Sequence, residues 1–289
     1  MKKKPGQQTL RVLAPAVVLI GLVAAALPAG AQKLKVEEVV AKHQESIGAA
    51  EARASIQNRL ADGATEVVFR LGGMGALSGR GQILSEGRKL SMAFAFGTSE
   101  YPGEQVVCNG DKVDVGQFRP GQRSSLSAFL FSYDVIAKEG LLGGVISTAW
   151  PLLDKEIRQA KLQYSGLKKI EGKQLHEVRY RAKKGQPELQ VSLYFDSETF
   201  RHVRTQYRLI RPAGMASDPT LSSAQVDTVY TLTEVFDKFA EVDGLMLPQW
   251  TRLDLTIDAQ NATVMTRWSF TVTSIAHNQQ IDPKSFTIR

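Results

Sequence analysis

The sequence predicts a mainly β protein with some α-helix, built on one wide, curved antiparallel sheet of about a dozen strands. Three observations carry this prediction: a hydrophobic period of two over most of the chain, short turn-rich links between the strand candidates, and one apolar helical stretch between two groups of strands. Short links require antiparallel neighbours, because a parallel pair needs a crossover connection of about a dozen residues.

An export signal precedes the folded part of the chain. Three lysines stand before an apolar run at residues 12–27, and small residues ending at Ala31 supply a signal-peptidase site. We expect residues 1–31 to be a signal peptide cleaved after Ala31, and residues 32–289 to form one domain in the periplasm. The alternative is an uncleaved anchor, since residues 12–31 are about long enough to cross a bilayer.

The charge balance changes when the signal is removed. The whole chain has 36 Lys and Arg against 29 Asp and Glu, a net +7, but residues 1–31 hold four of the basic residues and no acidic ones. The mature chain is therefore nearly neutral, which argues against nucleic acid as a partner. Cys108 is the single cysteine, so the sequence predicts neither an internal disulfide nor a lipid anchor on a mature N-terminal cysteine. After cleavage we expect a protein that is not integral to the membrane.

Helical spacing opens the mature chain, and alternation follows. Apolar residues from Val36 to Ile47 recur on one helix face, with Gly48 as a stop. Asn109-Gly110 predicts a tight hairpin turn. The strand candidates are residues 66–71, 81–85, 89–96, 105–109, 112–118, 162–170, 174–182, 188–196, 200–210, 226–241, 246–258 and 263–275.

The middle of the chain is too apolar to be a solvated loop. Ser124 or Ser125 can cap a helix there, and Pro151 can open another short one. Glycines at 140, 143 and 144 would let such a segment hinge over a cavity.

One face of the predicted sheet is apolar, and the helical material available to cover it is too small for a full second layer. An under-filled apolar concavity is typical of a hydrophobic-ligand site. Each candidate below can equally be sealed core. The ligand-cavity candidates are Leu126, Phe129, Leu130 and Tyr133 on the helical lid, and Leu193, Phe195, Leu255, Trp268 and Phe270 on the sheet.

Basic residues cluster on two of the predicted strands. Arg179 and Arg181 share one strand face, and Arg204 and Arg208 share another. The simpler interpretation is a solvated outer face, since alternation places these side chains opposite the apolar ones. The alternative is a dock for anionic lipid head groups or an acidic partner.

Signatures of catalysis are lacking in the sequence. It has no nucleophile elbow, phosphate loop or dinucleotide-binding glycine spacing, its four histidines are scattered, and one cysteine cannot build a thiolate zinc site. We therefore expect no enzyme, no metal and no cofactor. A hydrolase that uses unrecognised carboxylates is kept as an alternative.

Short fragments connect the sequence to a known family. They are Tyr-Phe-Asp at residues 194–196 followed by Thr199-Phe200, the hairpin at residues 242–248, and Ile-Asp-Pro-Lys-Ser-Phe at residues 281–286. With the signal, the first helix, the helical insert and the meander of strands, they resemble the LolA-like periplasmic outer-membrane lipoprotein-sorting and carrier proteins.

This resemblance implies an unclosed β-barrel with helices over its concave face, and a cavity that shelters acyl chains without chemistry. It also implies a lipid or a lipidated protein as the partner. We therefore expect a monomeric periplasmic carrier or binder of hydrophobic ligands. The alternative on the same fold is an envelope sensor that binds a membrane-protein partner.

Overall fold

One antiparallel sheet of twelve strands forms the body of the protein. The computed structural model describes residues 34–70, 75–153, 160–212 and 227–288, together with Met1. The strands are β1 (Asn58–Phe69), β2 (Ala76–Glu86), β3 (Lys89–Ala95), β4 (Gly103–Cys108), β5 (Val113–Val115), β6 (Lys161–Ile170), β7 (Lys173–Arg181), β8 (Leu189–Asp196), β9 (His202–Arg211), β10 (Thr228–Val242), β11 (Leu245–Ala259) and β12 (Ala262–His277).

The helices are few and short. They are α1 (Val36–Ile47), α2 (Ala50–Ser55), α3 (Ser125–Ser132) and α4 (Val135–Lys138), with two 3₁₀ helices at Gly144–Ile146 and Pro283–Phe286. The predicted first helix and its Gly48 stop are confirmed.

The spatial order of the strands is β5-β4-β3-β2-β1-β12-β11-β10-β9-β8-β7-β6. Every neighbouring pair is antiparallel. Strands β5 and β6 stand at the two ends of this order, so the sheet is not closed. The predicted fold class, an unclosed antiparallel sheet of about a dozen strands with a few covering helices, is confirmed.

The chain leaves the sheet at one edge and re-enters it at the opposite edge. Strands β5 and β6 are consecutive in sequence but lie at opposite edges. The connection between them therefore crosses a face of the sheet. Residues 124–153 of this connection, which we call the cover segment, contain α3, α4 and the 3₁₀ helix Gly144–Ile146.

Strand β1 begins at Asn58, whereas the sequence predicted a start at Glu66. The core-facing positions of this first half of the strand are Arg59, Ala61 and Gly63, as burial and the approach of Phe270 to Gly63 show. None of the three carries a large apolar side chain, so the sequence shows no hydrophobic alternation there.

Two further predictions need correction. Strand β5 is shorter than the predicted 112–118. Pro151, predicted to open a helix, lies instead in a turn that extends to Leu153, and residues 154–159 fall outside the described residues. Helix α2 was not predicted because it buries no residue and so has no apolar periodicity. The predicted signal at residues 1–31 lies outside the described part of the chain, Met1 excepted, and both the signal and its cleavage stay predictions.

The two faces of the sheet differ as the alternation predicted. In β8 the side chains of Val191, Leu193 and Phe195 are buried, while Gln190 is exposed and Ser192 is half-buried. The buried side, here called the covered face, packs against α1 and the cover segment in one apolar cluster. The other side, the outer face, is polar.

Replacement of a covered-face leucine tests this packing. Leu193 is 0% exposed and Leu167, on β6, is 53% exposed. We expect Leu193→Ala to lower the free energy of unfolding by about 2–5 kcal/mol, because it leaves a cavity in a packed core. Leu167→Ala, the matched control, should change it by less than about 0.5 kcal/mol. Urea unfolding followed by circular dichroism measures both. Equal effects would mean that the covered face is not the core.

Candidate functional site

The cover segment fills the face on which the sequence placed a ligand cavity. All nine predicted cavity residues are buried and belong to a single apolar cluster: Leu126, Phe129, Leu130, Tyr133, Leu193, Phe195, Leu255, Trp268 and Phe270. Side chains of the cover segment therefore pack directly against side chains of the sheet. A ligand on this face would have to take the place of part of the cover segment.

A buried carboxylate on β4 holds the first helix of the cover segment. One oxygen of Glu104 accepts hydrogen bonds of 2.7 Å from the hydroxyls of both Ser124 and Ser127. Its other oxygen accepts from the Tyr101 hydroxyl, which in turn accepts a 2.8 Å bond from Nε1 of Trp268. Ser124 also caps α3, as predicted, by accepting from the backbone N–H of Ser127. Burial raises the pKa of Glu104, while its three hydrogen bonds limit the rise.

A second buried carboxylate, on β10, holds the centre of the cover segment. Glu234 accepts 2.8 Å hydrogen bonds from the backbone N–H of Gly143 and from the hydroxyl of Tyr207. Burial raises the pKa of Glu234 to about 7, and the bonds from Gly143 and Tyr207 oppose that rise. Gly143 has a φ of 81°, a left-handed conformation that presents this N–H to the sheet and that glycine adopts without strain.

A buried arginine on β1 holds the next residues. Nη1 of Arg59 donates to the carbonyl oxygens of Val145, at 2.6 Å, and Ile146, at 3.1 Å. Its Nε donates to Nε2 of His277. Burial lowers the pKa of Arg59 to about 10, so the side chain stays charged at neutral pH. Hydrogen bonds to carbonyl oxygens at a helix end partly compensate the buried charge of this guanidinium group.

Two buried histidines hold the end of the cover segment. Nε1 of Trp150 donates to Nε2 of His43 on α1 at 3.0 Å, and Nδ1 of His43 lies 3.1 Å from the carbonyl oxygen of Phe200, to which it donates. The indole ring of Trp150 also stacks on the ring of His202, with ring centroids 4.3 Å apart. Burial lowers the pKa of His43 to about 4 and that of His202 well below its usual value, so both rings are neutral at pH 7.

The backbone of the cover segment lies close to the sheet at Gly144. A Cβ atom at this position would lie 2.8 Å from Cζ of Phe236 and 2.9 Å from Nδ1 of His202. Its φ of 50° is also left-handed. Only glycine fits here, which explains one of the three glycines that the sequence identified as hinge candidates.

The predicted basic residues divide into two environments. Arg179, Arg181 and Arg208 line one groove of about 840 Å³ beside strands β7 to β9. Arg204 lies apart from them in an ion pair of 3.0 Å with Glu171. Three of the four arginines are thus brought together at one concave feature, and the fourth is part of an outer-face ion pair.

The residues that hold the cover segment were not recognised from the sequence as a site. A signal was present, however: Glu234 alternates with Leu232 and Phe236, and Glu104 with Val106, so each carboxylate occupies an apolar-face position. A charged residue in the apolar half of a strand has to find partners in the core.

Nowhere in the described residues do three His, Cys, Asp or Glu side chains come close enough together to hold a metal ion. Among the described helices, none combines the length and the apolar content needed to cross a bilayer.

Among known proteins, the chain is similar to several solved structures. No protein-family model matches the sequence, and no curated protein matches it. A LolA superfamily protein from Nitrosomonas europaea is 14% identical, over 88% of this chain and 98% of its own, with a TM-score of 0.49.

Two further structures are similar along most of their length. A DUF1329 family protein from Desulfovibrio piger is 10% identical over 88% of this chain and 97% of its own, with a TM-score of 0.42. A protein from Vibrio parahaemolyticus described as an outer membrane lipoprotein-sorting domain is 9% identical over 86% and 96%, with a TM-score of 0.44.

The buried carboxyl of Glu234 makes stability depend on pH. Its pKa rises from 4.5 to about 7 on folding, so the folded state binds more protons between these values, and stability falls as the pH rises from about 4.5 to about 7. Relative to the Glu234→Gln variant, the free energy of unfolding of the unchanged protein should fall by about 3 kcal/mol over this pH range and should not fall further above it.

The measurement is urea unfolding at a series of pH values, with Glu66→Gln as the control because Glu66 is exposed on the sheet. The difference in the free energy of unfolding between the Glu66→Gln variant and the unchanged protein should stay constant with pH. A constant difference for Glu234→Gln as well would show that Glu234 does not titrate in this range.

Proposed function

We propose that the protein is a periplasmic carrier or binder of hydrophobic ligands, and that its ligand lies on the covered face of the sheet. The observation that carries the proposal is the way this face is covered. A wide apolar surface that a second sheet would normally seal is covered instead by α1 and one connecting segment, and polar contacts fix that segment at a few points.

Burial supplies enough free energy for such a ligand to bind without directional contacts. Each methylene moved from water into an apolar site contributes about 0.8 kcal/mol. A long acyl chain can therefore compete with some of the side chains of the cover segment for the same surface.

The polar contacts of the cover segment suit a reversible closure. Glu104, Glu234 and Arg59 each hold a different part of it through hydrogen bonds to side chains or backbone. A hydrogen bond to a charged group contributes about 1.5–3 kcal/mol. When the cover segment opens, such a bond is lost, and opening is favourable only if contacts with a ligand replace it. Opening of the segment is therefore coupled to ligand binding.

The direct test is to identify what the protein carries. The full chain, exported by its own signal and purified without detergent, should show bound lipid in native mass spectrometry, and the delipidated protein should bind a fluorescent fatty acid. A protein that carries no lipid and binds no fatty acid would contradict the proposal.

Weakening one contact of the cover segment should strengthen binding. Ser127→Ala removes the 2.7 Å bond to Glu104 but keeps the backbone N–H that Ser124 caps. Closure competes with the ligand, so a loss of about 1–3 kcal/mol from the closed state should increase the apparent affinity for the fatty acid about fivefold to a hundredfold.

Ser132→Ala, an exposed position on the same helix, is the matched control and should leave the affinity unchanged. Fluorescence titration gives both constants, and thermal unfolding confirms that each variant is folded. A folded Ser127 variant with unchanged or weaker binding would show that the cover segment does not compete with the ligand.

A further inference from the structure

A groove at one end of strands β7 and β8 joins the outer face to the edge of the cover segment. It has a volume of about 840 Å³, and residues 182–191, which include the β7–β8 connection, form much of its wall. Its lining includes side chains from both faces of the sheet as well as from the cover segment. The groove is therefore placed at the boundary between water and the apolar cluster.

One side of the groove is strongly basic. It is lined by five cationic residues, Lys161, Arg179, Arg181, Lys183 and Arg208. Of the described residues that line it, Glu177 is the single acid, and Glu177 accepts a hydrogen bond from Ser192 and lies 4.0 Å from Lys168.

Register brings three arginines of this side close together. Gln190 of β8 pairs with Arg208 of β9. On the other side of β8, Val191 pairs with Tyr180 of β7, so the next residue of β7, Arg181, lies beside Gln190. Arg179 and Arg181 stand on the same face of one strand. Neighbouring strands are about 4.8 Å apart, so β7 and β9, on either side of β8, are about 10 Å apart. Arginine side chains are long enough to span this gap, so all three guanidinium groups can reach one anionic group placed over β8. None of the three forms an ion pair within the described part of the chain.

The opposite side of the groove is apolar and belongs to the covered face. Val135 and Leu141 come from the cover segment, and Tyr180 and Val191 from the sheet. Leu141, Tyr180 and Val191 are members of the apolar cluster that the cover segment seals. The groove thus places Arg179, Arg181 and Arg208 beside the line along which the cover segment meets the sheet.

We propose that this groove is the entrance to the ligand site and that it selects anionic amphiphiles. The anionic head group, a phosphate or a carboxylate, binds to Arg179, Arg181 and Arg208, and the hydrocarbon chain passes Leu141 into the apolar cluster. This assignment rests on the proposed function and adds the chemical class of the ligand to it.

Two lysolipids with the same acyl chain test the assignment. The full chain, delipidated, should bind lysophosphatidylglycerol, which is anionic, more tightly than lysophosphatidylcholine, which is zwitterionic. Arg179→Gln, Arg181→Gln and Arg208→Gln combined should weaken binding of the anionic lysolipid by about one to two orders of magnitude and leave the zwitterionic one unchanged. Isothermal titration calorimetry below the micellar concentration measures all of these constants.

A matched triple variant controls for net charge. Arg70→Gln, Arg80→Gln and Arg88→Gln combined remove the same charge from exposed positions outside the groove, and this variant should keep the preference for the anionic lysolipid. Glycerol phosphate, which is the head group without the chain, should bind far more weakly than the lysolipid. Added salt should reduce the preference, because part of the attraction is screened.

The outcomes separate the two proposals. Equal binding of both lysolipids, or equal losses in the two triple variants, would overturn the anionic selection and leave the hydrophobic-ligand proposal standing. Glycerol phosphate that binds as tightly as the lysolipid would identify a soluble-anion site instead. A polyglutamate peptide that occupies the groove while the lysolipids show no preference would identify a protein-docking surface. If neither lysolipid binds, the proposed function itself fails.

Discussion

The order of the strands places the end of β5 and the start of β6 at opposite edges of a twelve-strand sheet. The chain between them has to cross one face, and the apolar face is the one on which a crossing segment buries most surface. The cover segment is therefore a consequence of topology. Because it is a single connection and not a layer of strands, it has no ladder of hydrogen bonds to the sheet and needs other contacts to define its position.

Those contacts are buried polar groups, spaced along the segment. Glu104, Glu234 and Arg59 each satisfy groups of the cover segment that would otherwise be buried without partners. Apolar packing alone tolerates small shifts in position, whereas a buried carboxylate without its donors costs several kcal/mol. The polar contacts thus give one defined closed position, and the apolar cluster supplies most of its stability.

The sequence predicted the strands well where the two faces differ. Residues 188–196 alternate without interruption, and β8 spans Leu189–Asp196. Prediction failed in the first half of β1, where the core-facing positions Arg59, Ala61 and Gly63 carry no large apolar side chain. In the site, the apolar residues could be predicted because burial follows local periodicity. The pairing of Glu234 with Gly143 could not, because it joins positions that only the assembled sheet brings together.

Magnitudes decide how much of the cover segment a ligand can displace. The segment buries twelve large apolar side chains, which at about 2 kcal/mol each exceed the gain from one acyl chain of about fifteen methylenes at about 0.8 kcal/mol each. Full displacement is therefore unfavourable, and the ligand has to replace a small part. Under the proposed function, Leu141 and Leu142 are the part that we expect a ligand to displace, because they lie between Gly140 and Gly143, whose φ values are 70° and 81°. Leu141 also lines the basic groove. Moving these two side chains costs about 4 kcal/mol of burial, which about five methylenes of an entering chain would offset, so the proposed function implies that a long chain opens the site and a short one does not.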